Sequence, residues 1–424
     1  MHVVIYHFYR ANAVAWADHL FTRARGASPP LRLIMCAAGS MVSGIASTGA
    51  ASVGLFFILS GFILAYCYLT PQGDLNGSKR SFWVNRFARI YPTYLLGFLL
   101  ITPITVWRML PPGQPLWGKF VGTGLANFTL LQSWYAPAAA TWNSPGWSLS
   151  DEAFFYLLFP FIAVALLRGS GRIKGWLIVI ACMVTIAAFA VAQAALAPRF
   201  TNVDVGAWFS FFPLIRLPEF ILGIALGRVY AVNCGRLLTA AGSGPGHPKV
   251  ADPLWQRGLA PFATLGIIIV LSLPVIDISF ILHPWIAGAR AVALPLLFAA
   301  LIYGLATDCV GSPRGLARLL GIAPLVLLGE ASYAVYILHM PIGKWFGYIT
   351  QNQWTTLAHS VHLSSGGVAN GIVYFLTTIL GAVAIFEWLE KPARRWLRQR
   401  LDPSREPQIA KLPQISVPTT TDGR

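Results

Sequence analysis

ASVGLFFILSGFILAYCYL, residues 51–69, holds no charged side chain and is long enough to cross a bilayer as one helix. Comparable stretches recur near 90–107, 148–168, 175–197, 207–230, 259–282, 285–306, 323–345 and 369–390. A shorter one runs from Met1 to Ala17, so the count is ten spans with a partial first one. The composition agrees: 56% of the residues are hydrophobic, 11% are charged and the mean hydropathy is +0.62. A soluble domain has roughly 25% charged residues. So much apolar surface does not fit inside one water-soluble core and must face lipid as closed helices. The fold class expected is therefore all-α, a polytopic membrane helix bundle. Residues 119–135 are apolar but shorter and more polar, and read as a surface-lying or re-entrant piece.

The net charge is +16. A nucleic-acid partner is not implied, because the basic residues fall in short loops between apolar runs. Taking the loops as alternating, one set (70–89, 168–174, 228–258, 307–322 and the tail from 391) carries 21 Lys and Arg, and the opposite set carries 7. This bias places the first set, and the C-terminus, in the cytoplasm. The organisation expected is one membrane domain over 1–400 and a Pro- and Thr-rich cytoplasmic tail over 401–424, too polar to order itself. Cysteines at 36, 67, 182, 234 and 309 form no C-x-x-C pair and no zinc pattern, so no metal is expected.

Ionisable groups inside lipid are costly and mark sites or structural pairs. His7, Arg10, Glu152, Arg216, Glu219, Glu330 and His339 are the candidates. His7 and Arg10 lie three apart on one helix face, toward the outer half of the membrane, where an imidazole can take a proton from a hydroxyl. The same pair also suits an interfacial helix end that snorkels. Arg86 and Arg89, in FWVNRFARIYPTY, make either a fork for phosphates or an ordinary cytoplasmic anchor, with Pro92 starting the next span. In WSLSDE, Ser148 and Asp151 fit a capping box, which leaves Glu152 unexplained, one turn from Tyr156. Arg216 and Glu219 read as an intramembrane ion pair, and Gly223 with Gly227 as a weak packing motif. Ser332, Tyr336 and His339 form one stripe, either a hydrogen-bonded seam between helices or part of a site. Glu390 pairs by default with a nearby Arg. No GxSxG, HExxH or Walker loop is present, which removes the usual hydrolase, zinc-protease and P-loop readings.

In order, YHFYR, SVGLFFILSGFIL, FWVNRFARIYPTY, SPGWSLSDEAFFYLLFP, RLPEFILGIALG, GEASYAVYILHMPI and FEWLEKPARRW resemble the segments of membrane acyltransferase family 3. They cover nearly the whole chain up to residue 400. Members O-acylate surface polysaccharides and related glycans of bacteria. The resemblance implies a multi-pass protein of the bacterial inner membrane, an acyl-CoA donor (acetyl-CoA first among them) from the cytoplasm and a glycan acceptor outside. It implies His7 as the catalytic residue, Arg86 and Arg89 at the donor, and Glu152 as the acid beside the reaction. Arg10, Tyr156, Ser332, Tyr336 and His339 are the expected substrate-binding groups. The family pattern also has an arginine upstream of the first-span histidine, at a position before Met1, so the first span reads as the second part of a longer helix. The function expected is O-acyl transfer. The alternatives are a transporter or flippase for a lipid-linked glycan or small anion, which polar groups in spans suit equally, and a sensor or assembly protein. Between residues 1–200 and 201–400 no clear repeat supports the transporter.

Overall fold

The computed structural model describes residues 51–70, 72–169, 172–200, 203–241, 258–272, 279–309, 315–352 and 368–402, with isolated positions before residue 51 that include Val3, Val4 and His7. The regular structure of these residues is helical: α1 (Ala51–Tyr68), α2 (Lys79–Met109), α3 (Trp117–Phe128), α4 (Trp147–Leu167), α5 (Arg172–Leu196), α6 (Val205–Phe211), α7 (Pro213–Ala241), α8 (Leu259–Ser272), α9 (Ser279–Asp308), α10 (Ala323–Glu330), α11 (Ser332–Asn352), α12 (Val368–Ile385) and α13 (Lys391–Leu401), with shorter turns between. Among the described residues seven helical stretches are long and apolar enough to cross a membrane. The pair α10 and α11, bent by 62°, makes an eighth if taken as one span. Of the ten spans expected, the first has only three of its first ten residues described, and the seventh is described as helix only over α8 and the start of α9. Arg10 and the tail past Asp402 lie outside the described residues.

Two expectations about helix ends are corrected. Pro92 does not begin a helix: α2 begins at Lys79, where the Ser78 side chain accepts from the Ser81 amide, and Pro92 sits inside it. Ser148 and Asp151 do not form a capping box. A 3-10 turn over Ser144–Gly146 leads into α4, Gly146 is the cap without a side-chain bond, and Ser148 is already helical. Residues 119–135 form α3, too short to span, then a reversal at Leu130, whose φ of 59° is left-handed, and a 3-10 turn. Ser150 Oγ donates to the Leu130 carbonyl and holds that reversal on α4.

The Gly223 motif has a stronger role than its sequence suggests. A Cβ on Gly223 would lie 2.0 Å from the Ile58 carbonyl oxygen, and one on Gly61 2.2 Å from that of Phe220. Backbone meets backbone where α1 crosses α7, the close approach that small residues allow in membranes. Around it lies an aromatic core in which Phe155 stacks on Phe220 and Phe82 on Phe159. At one end of the bundle the Arg168–Asp74 ion pair (3.1 Å), the Gly169 amide on Gln72, Arg228 on the Thr70 carbonyl and Arg80 on the Leu401 carbonyl collect the basic loops. These belong to the loop set that the charge bias put on one side.

Candidate active site

At the end of the bundle away from the basic loops, a cavity of about 520 Å³ is lined by His7, Gly54, Arg216, Glu219, Arg290 and Tyr336 among others. The half-buried His7 ring faces the fully buried His339 ring, with centroids 5.3 Å apart. His339 Nδ1 lies 2.7 Å from the Tyr336 carbonyl oxygen. A carbonyl only accepts, so Nδ1 carries the proton and Nε2 the lone pair. That Nε2 is buried and has no hydrogen-bond partner among the described residues. The Tyr374 hydroxyl donates to the His339 carbonyl and fixes this turn of α11. Tyr336 reaches across to α4, where its hydroxyl meets Ser148 Oγ at 2.7 Å and the Pro145 carbonyl at 3.1 Å.

Ser148, Glu152 and Tyr156 repeat every four residues and so share one face of α4. Glu152 hydrogen-bonds to the Tyr156 hydroxyl, and Ser60 Oγ of α1 lies 3.3 Å from both. The Arg86 guanidinium lies over the Tyr156 ring and donates to the Tyr68 hydroxyl at 2.9 Å. A file of polar groups therefore runs from Arg86, beside the basic loops, through Tyr156, Glu152 and Ser60 to Ser148, Tyr336 and His7. Along α1 the distance from Tyr68 to Gly54, on the cavity wall, is about 21 Å. Glu152 is not among the residues lining the His7 cavity. The carboxylate there is Glu219, paired with Arg216 at 3.0 Å in the ion pair read from the sequence.

The other expected residues part company. Arg89 lies within electrostatic reach of Glu152 but makes its ion pair elsewhere: it pairs with Glu390 Oε1 at 2.8 Å, and Thr93 donates to Oε2. Glu390 thus makes its direct ion pair with an arginine on a distant helix, while Arg394 of the adjacent KPARR run lies within electrostatic reach. Ser332 is exposed, and its hydroxyl donates to the Gly329 carbonyl at the bend between α10 and α11, away from Tyr336 and His339. Glu330, at the same bend, is exposed. Sequence reasoning missed Ser60 and Tyr68, because hydroxyls in an apolar run carry no charge to draw attention. It also explained Asp151 away. This side chain is fully buried, within electrostatic reach of Arg216 and Glu219. Its neighbour Ser133 donates its hydroxyl to the Trp147 carbonyl. Among the described residues no cluster of His, Cys, Asp or Glu has a metal-holding arrangement.

A helical membrane bundle with buried polar groups between a basic end and a histidine-bearing cavity is compatible with a membrane enzyme of group transfer. The chain belongs to acyltransferase family 3: the family model, described as an acyltransferase domain, matches residues 2–387. It is 30% identical over 379 residues to the acyltransferase MdmB of Streptomyces mycarofaciens, covering 85% of each chain. It is 22% identical over 366 residues to the peptidoglycan O-acetyltransferase OatA of Listeria monocytogenes, covering 82% of this chain and 52% of that protein. A 130-residue stretch is 28% identical to the putative peptidoglycan O-acetyltransferase YrhL of Bacillus subtilis, covering 28% of this chain and 20% of that one. No solved structure matches. The protein is an acyltransferase.

Proposed function

We propose that the protein moves an acyl group, acetyl first among the candidates, from cytoplasmic acyl-CoA to a hydroxyl of a cell-surface or exported glycan. It does so across the bacterial plasma membrane, with its C-terminus in the cytoplasm. The observation that carries this reading is the polar file between the basic end and the His7 cavity. A donor with phosphates at one end and a thioester at the other matches a path that starts at guanidiniums and ends at an imidazole. The O-acetyltransferase named among the relatives favours a glycan hydroxyl as acceptor.

In this mechanism His7 is the general base. It takes the proton of the acceptor hydroxyl as that oxygen attacks the thioester carbonyl carbon. The C–O bond forms, the C–S bond breaks, and the CoA thiolate leaves and recovers the proton from the His7 imidazolium. His339, with its Nδ1 proton held by the Tyr336 carbonyl, presents a neutral ring beside His7. Tyr336, on the cavity wall, hydrogen-bonds to Ser148, and Glu152 hydrogen-bonds to Tyr156 and Ser60 in the middle of the file. Arg86 and Arg89 receive the donor.

His7→Gln tests this reading. The variant is expected to lose roughly 10²- to 10⁴-fold of the acetyl transfer from acetyl-CoA to de-O-acetylated cell-wall glycan. It is expected to keep the wild-type affinity for CoA. Glycan acetylation at the wild-type rate in that variant would remove His7 from the chemistry. The polar file would also suit a transporter, but no observation favours that reading.

A further inference from the structure

We infer that Arg394 and Arg398 of α13 complete, with Arg86 and Arg89, a binding site for the phosphate groups of the acyl donor. This inference rests on the acyl-CoA reading above. Arg394 and Arg398 are four apart and share one face of α13, whereas Arg395 and Arg400 on other faces are exposed. Arg394 lies within electrostatic reach of Arg398, Arg89 and Arg86, and of Glu390. Arg398 lies within reach of Arg86, Arg89 and the Tyr68 hydroxyl. The C-terminus of α13 is tied to the start of α2 by Arg80, which donates to the Leu401 carbonyl at 3.3 Å, so this face is held on the Arg86–Arg89 segment.

The local charges do not balance. Four guanidiniums meet two carboxylates, and both are engaged: Glu390 by Arg89 and Thr93, Glu152 by Tyr156 and Ser60. Arg394 and Arg398 make no ion pair among the described residues, and the Nε atoms of Arg86, Arg394 and Arg398 are all buried without a hydrogen-bond partner. Like charges at this spacing repel unless an anion lies between them. Arginine forks match the planar pairs of oxygens that a phosphate presents. The site also adjoins the Tyr68 end of the polar file, where the phosphate-bearing end of a donor belongs if its thioester is to reach His7.

The chemistry required is a cluster of phosphate oxygens, which a donor nucleotide or an anionic lipid headgroup supplies. Calorimetric titration of the full-length chain in neutral detergent with CoA and with pantetheine, beside capture on phosphatidylglycerol and phosphatidylcholine vesicles, separates the two. The inference expects the double variant R394A/R398A to weaken CoA binding by about tenfold or more, with the thermal midpoint in detergent kept. It expects R395A/R400A, on the exposed faces, to bind CoA as wild type does. Equal CoA affinity in wild type and R394A/R398A overturns the inference and leaves the acyl-CoA reading standing. Loss of phosphatidylglycerol capture with CoA binding unchanged also overturns it, in favour of a headgroup. Absence of CoA binding by the wild-type chain overturns both the inference and the reading on which it rests.

Discussion

Arg216 sits over the Phe57 ring, pairs with the buried Glu219 and lies within electrostatic reach of the fully buried Asp151. Removing one member of a buried pair leaves an uncompensated charge and costs about 3–5 kcal/mol. Arg216→Ala is therefore expected to lower the thermal midpoint in detergent strongly, and R216A combined with E219A to recover part of the loss. An unchanged midpoint in R216A would mean that water and not protein solvates this pair. Much at this scale was legible, because ionisable groups stand out against an apolar run: His7, Arg216, Glu219 and His339 lie at or beside the cavity, and Arg86 and Glu152 lie along the polar file. The sequence misled where a local rule offered a sufficient explanation. Ser148 and Asp151 match the capping pattern, but the preceding 3-10 turn starts the helix early enough to bury both. Nor does spacing along one helix reveal which neighbour it faces, so the arginine opposite Glu390 was not visible.

Two helices are joined to other elements at their prolines. Pro160 in α4 has no amide for the Tyr156 carbonyl, and the Trp83 indole of α2 donates to that oxygen at 3.2 Å. Pro341 in α11 does the same to the Ile337 carbonyl, and Asn143 donates there at 2.9 Å. Each broken turn becomes an acceptor for another element, as lipid demands of every backbone group. Asn143 precedes Ser144 and Pro145, which line the cavity, so this bond also fixes the cavity rim. Asn143→Leu is expected to cost about 1–3 kcal/mol, read as a lower thermal midpoint, and Trp83→Phe to act in the same direction. Gly61→Ala is expected to destabilise by at least about 1–3 kcal/mol through overpacking, because its Cβ would press into the α7 backbone. Gly347→Ala, where a Cβ meets nothing, serves as the neutral comparison. Of this, the sequence showed the glycines and prolines but not their partners. It also put the start of α2 at Pro92, because a proline at a helix start and one inside a membrane helix look alike in a sequence.

Among the described residues, several loops that the charge bias puts on one side meet at one end of the bundle. The turn after α1, the end of α4 and the end of α13 meet at the basic end. The His7 cavity draws its wall from the opposite ends of α1 and α7 and from the middle of α9. The span pattern was readable because every crossing must be apolar. The packing of the crossings was not, because lipid-facing and helix-facing residues are equally apolar, as the exposed Leu157 and the buried Phe155 on α4 illustrate. The proposed orientation predicts that a cysteine at S78C is labelled by a membrane-impermeant maleimide only after the cytoplasmic face is opened. Labelling of intact cells would invert the topology. The central proposal is that an acyl group enters at the basic end and leaves at His7. Proteoliposomes carrying the protein in one orientation, with acetyl-CoA supplied on the C-terminal side and de-O-acetylated glycan on the other, test that claim most directly. Acetyl groups are expected on the glycan across the bilayer, and not when acetyl-CoA is placed on the glycan's own side. Equal acetylation from either side, or none from the C-terminal side, would contradict the account.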